Sequence, residues 1–209
     1  MTGPAYRIVT PRLVLRCWRP TDAALLKAAV DANIEHLSPW MPWARQEPTS
    51  IEDKVAKLRQ FRAGFDLDQE LVYGVFDARE SAVLGGTGLH ARAEEGTREI
   101  GYWIDKDHLG KGLATEVAAA LTKVGFEIHD LHRIEIHCEP GNVASAAIPR
   151  KLGYVHEATL RERLLPGSTQ PTDSMVWTLL AREYPTSPSA RADVEAFDAT
   201  DRRILRRPG

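Results

Sequence analysis

The sequence predicts an α+β domain in which a mixed sheet of about seven strands is flanked by about four helices. Three observations carry that prediction. Apolar and polar residues alternate through RIVTPRLVLRCW (7–18), the period of a half-buried strand, and LVYGVFDA (71–78), SAVLGGTGLHARAE (81–94) and EIGYWIDK (99–106) read as further strands. An alanine-rich helical run over about 113–128 then separates the fourth strand from another, RIEIHCEP (133–140). Strand, helix and strand in that order form a parallel crossover, right-handed in nearly all cases. Lastly, 209 residues, 43% of them apolar and 27% charged, compose an ordinary globular chain, long enough to bury a core without disulfides or a metal.

The elements follow in order. Segment 7–18 opens the sheet, with Leu13, Leu15 and Cys17 on its buried side. Thr21 and Asp22 offer N-cap chemistry for a helix over 22–37, which ends before Pro39. SPWMPWARQEP (38–48) carries too many prolines for a regular helix and is too apolar for a solvated loop, so something covers it. Ser50 and Asp53 form a capping box for a helix over about 51–65. Strands 71–78 and 81–94 make a hairpin, and 99–106 completes a meander. The helix over 113–128 lines up Leu113, Val117, Leu121, Val124 and Ile128 as its packing stripe. In strand 133–140, Ile134, Ile136 and Cys138 face one way and Arg133, Glu135, His137 and Glu139 the other. A helix over about 142–152 precedes two final strands, YVHEATLRERLL (154–165) and SMVWTLLARE (174–183), around the turn PGSTQPTD (166–173). Proline, serine and charge mix from Pro185 onward, which reads as one domain over 1–184 with a loosely attached tail over 185–209.

Several function classes fall away. A formal charge of −2 gives no basic field for nucleic acid, and no run of eighteen apolar residues could span a bilayer. MTGPAYRIVT lacks the order of a secretory signal, and Cys17 and Cys138 form no CxxC pair, so a reducing cytoplasm is expected. Seven histidines form no HExxH or paired-cysteine pattern, so no metal is expected.

The stretch DHLGKGLATE (107–116) sits where a strand ends and a helix begins. A glycine loop entering a helix N-terminus presents unpaired N–H groups and the positive end of the dipole, which suits an anion. Gly110 and Gly112 let the backbone approach a diphosphate, and Thr115 adds a hydroxyl donor. Neither the Walker spacing nor the GxGxxG dinucleotide fingerprint is present.

With GYWI before it and NVASAAIPRKLGY (142–154) after the next strand, this stretch resembles the GNAT superfamily of N-acyltransferases, and within it the RimJ/RimL ribosomal-protein N-terminal acetyltransferase type, over about residues 7–182. The resemblance implies a sheet splayed between its fourth and fifth strands, with acetyl-CoA as co-substrate in the split. The loop Leu109-Gly110-Lys111-Gly112-Leu113-Ala114 would hold the pyrophosphate, although Leu109 departs from the family's common first residue. Trp103 and Ile104 would contact pantetheine through their main chain, and Asn142 would bond the cofactor. His108 would touch phosphate or ribose, or be only a surface residue.

Acyl transfer to an amine needs a neutral nucleophile, a polarised carbonyl and a hydrogen bond for the departing thiolate. Glu99 is the first candidate base and Glu139 the second, each with a solvated or ion-paired strand face as its alternative. The tyrosine that many GNAT enzymes place seven residues after the motif asparagine is here Pro149. The Rim-type NxxS pattern is present as Asn142-Val143-Ala144-Ser145, so Ser145 either reaches the CoA sulfur or caps its helix. Tyr154 is read as core. Trp40, Met41 and Trp43 would wall the amine acceptor's pocket, or only pack on the sheet. The partners implied are an acyl-CoA and an amine acceptor, with a homodimer left open. Succinyl-CoA as donor, and a silent acyl-CoA-binding regulator, are the competing functions.

Overall fold

The computed structural model describes residues 3–164 and 169–206. Part of the expected turn 166–173, namely 166–168, and the end of the tail, 207–209, lie outside the described residues. The strands are β1 (Arg7–Val9), β2 (Leu13–Cys17), β3 (Leu71–Asp77), β4 (Val83–Ala91), β5 (Thr97–Ile104), β6 (Arg133–Cys138), β7 (Val155–Arg163), β8 (Thr172–Leu180), β9 (Glu195–Phe197) and β10 (Arg203–Leu205). The helices are α1 (Ala23–Leu37), α2 (Ile51–Asp66), α3 (Leu113–Glu127) and α4 (Val143–Lys151). All ten strands join one sheet in the order β10-β9-β1-β2-β3-β4-β5-β6-β8-β7. Among the described residues only β5 and β6 run parallel, so the sheet is mixed and the fold is α+β.

Ten strands replace the expected seven for two local reasons. Segment 7–18 is not one strand: Thr10 Oγ1 accepts from the Leu13 N–H at 3.1 Å, and the chain turns there through Pro11, whose nitrogen cannot serve a ladder. The segment read as a loose tail also adds β9 and β10. Ile8 of β1 pairs with Ala196, and Val194 and Ala196 are 1% and 0% exposed. Lys123 of α3 donates to the Ala190 carbonyl at 2.9 Å. Short strands among prolines and serines carry little periodic signal, so composition alone misjudges a segment whose Val194 and Ala196 are buried.

The helices lie on both faces. Leu113, Val117, Leu121 and Val124 of α3 are buried against the sheet as their spacing predicts. On the opposite face Val30 and Leu58, from α1 and α2, pack over Trp18 and Phe76, whose rings lie 5.4 Å apart. Burial of each such side chain contributes roughly 1.5–3 kcal/mol. The Ser50–Asp53 capping box forms, the Asp53 N–H donating to Ser50 Oγ at 3.0 Å. Asp22 departs from expectation: its carboxylate makes no cap bond to α1. It accepts instead from the Arg19 N–H and from Arg16, a β2 residue that is buried despite its charge.

The feature that positions the site is a failure of pairing. Thr97–Glu99 pair with Arg133–Glu135, yet β5 continues to Ile104 and β6 to Cys138 without further register. The strands part beyond Glu99. This is the expected splay between the fourth and fifth strands, renumbered because 7–18 became two.

Candidate active site

A cavity of about 660 Å³ lies between the end of β5 and α4 and runs to the start of α3. Among the predicted site residues, Trp40, Met41, Trp103, Ile104, Leu109, Gly110, Gly112, Ala114, Thr115, Asn142 and Ser145 line it. Glu99, Lys111 and Trp43 do not.

Gly110 and Gly112 adopt φ of +72° and +76°, the left-handed region where any other L-residue costs roughly 1–2 kcal/mol. A Cβ on Gly110 would meet nothing within 4 Å, so the backbone there is open to a ligand. Glu116 is the first α3 residue whose N–H finds a helical carbonyl, Gly112 at 3.1 Å. The N–H groups of Leu113, Ala114 and Thr115 therefore end the helix unpaired, as an anion site requires. An acidic first turn would oppose an anion, but Glu116 is turned aside: Thr10 Oγ1 and Arg12 Nε each donate to it at 2.6 Å. Arg12 Nη1 also donates to the Lys111 carbonyl at 2.8 Å, bracing the loop from outside. The Lys111 ammonium donates to the Asp107 carbonyl at 2.9 Å, so this lysine closes its own turn.

The approach to the loop is fixed by a residue the sequence reading passed over. Asn33 of α1, fully buried, donates to Asp105 Oδ2 at 2.6 Å and accepts from the Lys106 N–H at 2.7 Å. Its signal was a polar residue on the apolar stripe between Val30 and Leu37. Burial works against charge on Asp105, but the bonds from Asn33, His108 and the Asp107 N–H more than offset it, so its pKa lies below the usual value. His108 Nδ1 lies 3.0 Å from Asp105, which holds that ring at the cavity wall.

On the other side of the split Asn142 caps α4, its Oδ1 accepting from the Ser145 N–H at 3.1 Å. The cap is thus Asn142 and not Ser145. The Ser145 hydroxyl faces Tyr102 OH across 3.2 Å. Tyr102 was also passed over, because only the splay brings it to α4. Burial raises its pKa well above the ordinary phenol range, so it keeps its proton. Tyr154 is buried, as expected of core.

Glu99 stands at the last paired position of β5, with its side chain 13% exposed. It ion-pairs with Arg92 and lies 3.2 Å from His137 Nδ1, while His137 Nε2 lies 2.9 Å from Glu135. Burial lowers the His137 pKa against the upward pull of Glu135. Glu139 lies just beyond β6, half-buried, with no side-chain partner among the described residues. The Trp43 ring lies tilted at 57° against Trp103 with centroids 6.3 Å apart, and Trp43 does not line the cavity. Trp103 in turn lies over Gly86, where a Cβ would sit 2.5 Å from its Nε1. Trp40 reaches across to Gly141 and rims the cavity.

Comparison with known proteins converges on one family. The family described as acetyltransferase (GNAT) domain matches residues 12–155. YdaF of Bacillus subtilis (strain 168), whose name marks a provisional ribosomal N-acetyltransferase, is 28% identical over 182 residues, covering 84% of this chain and 95% of its own. The ribosomal protein uS5-alanine N-acetyltransferase of Escherichia coli (strain K12) is 27% identical over 168 residues, covering 78% of this chain and 84% of its own. Among solved structures, Mycobacterium smegmatis RimJ in complex with CoA-disulfide superposes with a TM-score of 0.79 at 24% identity, covering 91% of this chain and 95% of that one. That last likeness establishes the fold.

Proposed function

The chain belongs to the GNAT acetyltransferases, and from that premise we propose that it transfers the acetyl group of acetyl-CoA to a primary amine, foremost the N-terminus of a protein or peptide, by direct attack on the thioester. The carrying observation is the left-handed glycine loop and the unpaired start of α3 at one end of a 660 Å³ cavity whose other end lies between the last residues of β5 and the start of α4. Such a cavity lies within the usual range of roughly 300–1,000 Å³ for small-molecule sites.

Acetyl-CoA supplies the activated thioester, and the chain supplies position and protons. The N–H groups at the start of α3 hold the diphosphate, and the main chain of Trp103 and Ile104 at the end of β5 contacts the pantetheine arm. Asn142 keeps its carbonyl on α4 and offers its amide nitrogen to the ligand. As the amine nitrogen bonds to the carbonyl carbon and the C–S bond breaks, Ser145 Oγ hydrogen-bonds the departing thiolate. Glu99, or else Glu139, takes the amine's proton; Glu99 lies outside the cavity wall and acts through an intervening water. Trp40 and Met41 wall the acceptor side, and Trp43 backs Trp103.

Acetyl is favoured over succinyl because, among the described residues, Lys151 is the only lysine or arginine lining the cavity, and it stands at the far end of α4 from Ser145. The protein-acceptor assignment draws on the names of the relatives, and a cytoplasmic setting goes with it. Among the described residues no helix is long and apolar enough to cross a membrane. Mass spectrometry of N-terminal peptides and small amines incubated with acetyl-CoA or succinyl-CoA tests the reading. Acetylated peptide should accumulate, and Gly112→Asp, which places a carboxylate where the diphosphate sits, should weaken CoA binding by much more than about tenfold. Unchanged CoA affinity in that variant removes the loop assignment. Tight CoA binding with no product from any amine would select the silent regulator.

A further inference from the structure

Glu99 belongs to a row of acids and bases on the sheet face turned away from α3. Glu99 and Glu135 are register partners across the parallel pair, and His137 stands two residues further along β6 on the same face, where the strands have parted. His137 Nε2 is in hydrogen-bonding geometry with Glu135 at 2.9 Å. Its Nδ1 lies 3.2 Å from Glu99 Oε2, an oxygen that is buried and takes no hydrogen bond, its charge being met by Arg92 just past β4. A neutral imidazole has one N–H to give, and here it faces two carboxylates. Burial keeps the ring neutral by lowering its pKa, and the bond to Glu135 places the proton on Nε2. Two acceptors, the Nδ1 lone pair and Glu99 Oε2, thus face one another at a separation that one added proton would bridge. The other charges around them are engaged. Arg133 lies 3.4 Å from Glu135 and 3.2 Å from Glu157 of β7. On β4 the register partner of Glu99 is His90, which Glu70 holds at 3.1 Å. On β8 the partner of His137 is Val176, which carries no charge, and Glu139 follows two residues after His137.

Resting on the reading of Glu99 as the base, we propose that His137 is a relay that receives the acceptor amine's proton from Glu99, with Glu135 holding the imidazolium so formed. The acceptor's ammonium gives one proton through water to Glu99, and the proton passes on to Nδ1. The ring keeps its Nε2–H on Glu135, so two donors now match two carboxylates. The neutral amine nitrogen bonds to the thioester carbon, the C–S bond breaks, and the second proton that nitrogen must lose goes to the departing sulfur. His137, 24% exposed, returns its proton to solvent before the next turnover. The histidine acts through Glu99 and does not touch the amine. Its effect is to make Glu99 a stronger base than a lone carboxylate beside an arginine.

Two measurements on the full chain test this. Nitrogen-15 NMR of the imidazole rings, with His137→Gln identifying the signal, should show His137 neutral at about pH 7 with its proton on Nε2. A proton on Nδ1, or a charged ring, overturns the proposal. The second measurement follows kcat against pH with acetyl-CoA and a saturating pool of N-terminal peptides. His137→Gln should lower the plateau about 10- to 100-fold with the KM for acetyl-CoA unchanged. It should also move the acid limb to lower pH, toward the ordinary carboxylate range, because Glu99 then holds the proton alone. Glu135→Gln keeps the imidazole and withdraws its counter-charge, so it should move the limb the same way by less. On a Glu99→Gln background, His137→Gln should bring no further loss, since the two act in series. If Glu99→Gln displaces the limb while His137→Gln and Glu135→Gln, with unchanged melting temperature, leave it in place, the relay alone is lost. If Glu99→Gln leaves the limb in place, the base reading is lost and the relay with it.

Discussion

Tyr102 and Ser145 put two hydroxyls 3.2 Å apart at the vertex of the split, and Tyr102 has one proton to give. It can donate to the Ser145 carbonyl, at 3.3 Å, or to Ser145 Oγ. When it donates to Oγ, the serine proton is free to turn toward sulfur. Ser145→Ala should therefore lower kcat about 10- to 1,000-fold, and Tyr102→Phe by a smaller factor, with CoA affinity kept in both. Because the two act in series, the double variant should be no slower than Ser145→Ala. A Ser145→Ala enzyme with unaltered kcat at saturating substrates would reduce the pair to packing. Glu99→Gln should cut the rate and displace the acid limb of the pH profile at unchanged melting temperature; an intact profile passes the proton-accepting role to Glu139. At this scale the sequence disclosed residues that belong to a contiguous motif, such as Gly110, Gly112, Asn142 and Ser145. It hid Tyr102 and Asn33, whose partners lie 43 and 72 residues away and meet them only through the fold.

Helix α1 is coupled to the glycine loop by one side chain. Asn33 satisfies both the Asp105 carboxylate and the Lys106 N–H, and nothing else on α1 bonds either group among the described residues. Asn33→Ala leaves two polar groups short of a partner, at a cost of roughly 1–3 kcal/mol, and frees the segment that leads into Gly110. Melting temperature and CoA affinity should fall together in calorimetry of that variant. Ser50→Ala, which removes the α2 cap, should cost about 1 kcal/mol and leave CoA affinity alone. If Asn33→Ala keeps full affinity, the loop is held without α1, by Arg12 and by the turn that Lys111 closes. The helices were readable because periodicity and capping are local. The ends of the sheet were not, since β1, β9 and β10 are three residues each and depend on partners distant in sequence.

The α1–α2 face of the molecule is tied by a buried charge on β2. Arg16 of β2 meets Asp22 before α1 at 2.7 Å and Glu80 of the β3–β4 turn at 2.6 Å, with its guanidinium 3.9 Å over the Phe76 ring. Arg7 of β1 adds a second bond to Glu80 at 2.9 Å. Burial works against charge on both carboxylates, yet their cationic partners more than offset it, and both pKa values lie below the ordinary range. The unfolded chain therefore binds more protons than the folded one as the pH drops, and stability falls with it. The contribution is complete above the unfolded value near pH 4 and is lost as the pH passes through the lower folded values. His137 adds to the same slope from higher pH: burial lowers its pKa, so the unfolded chain takes up a proton near pH 6.5 that the folded chain refuses. Melting temperature should accordingly ease down below about pH 6.5 and drop steeply below about pH 4. Asp22→Asn should remove part of the steep limb. It should also cost about 3 kcal/mol at neutral pH, because Arg16 stays buried with only Glu80 to match it. An Asp22→Asn protein with the unaltered neutral melting temperature would mean that Glu80 suffices, and that the fold rests on its apolar faces rather than on this charge.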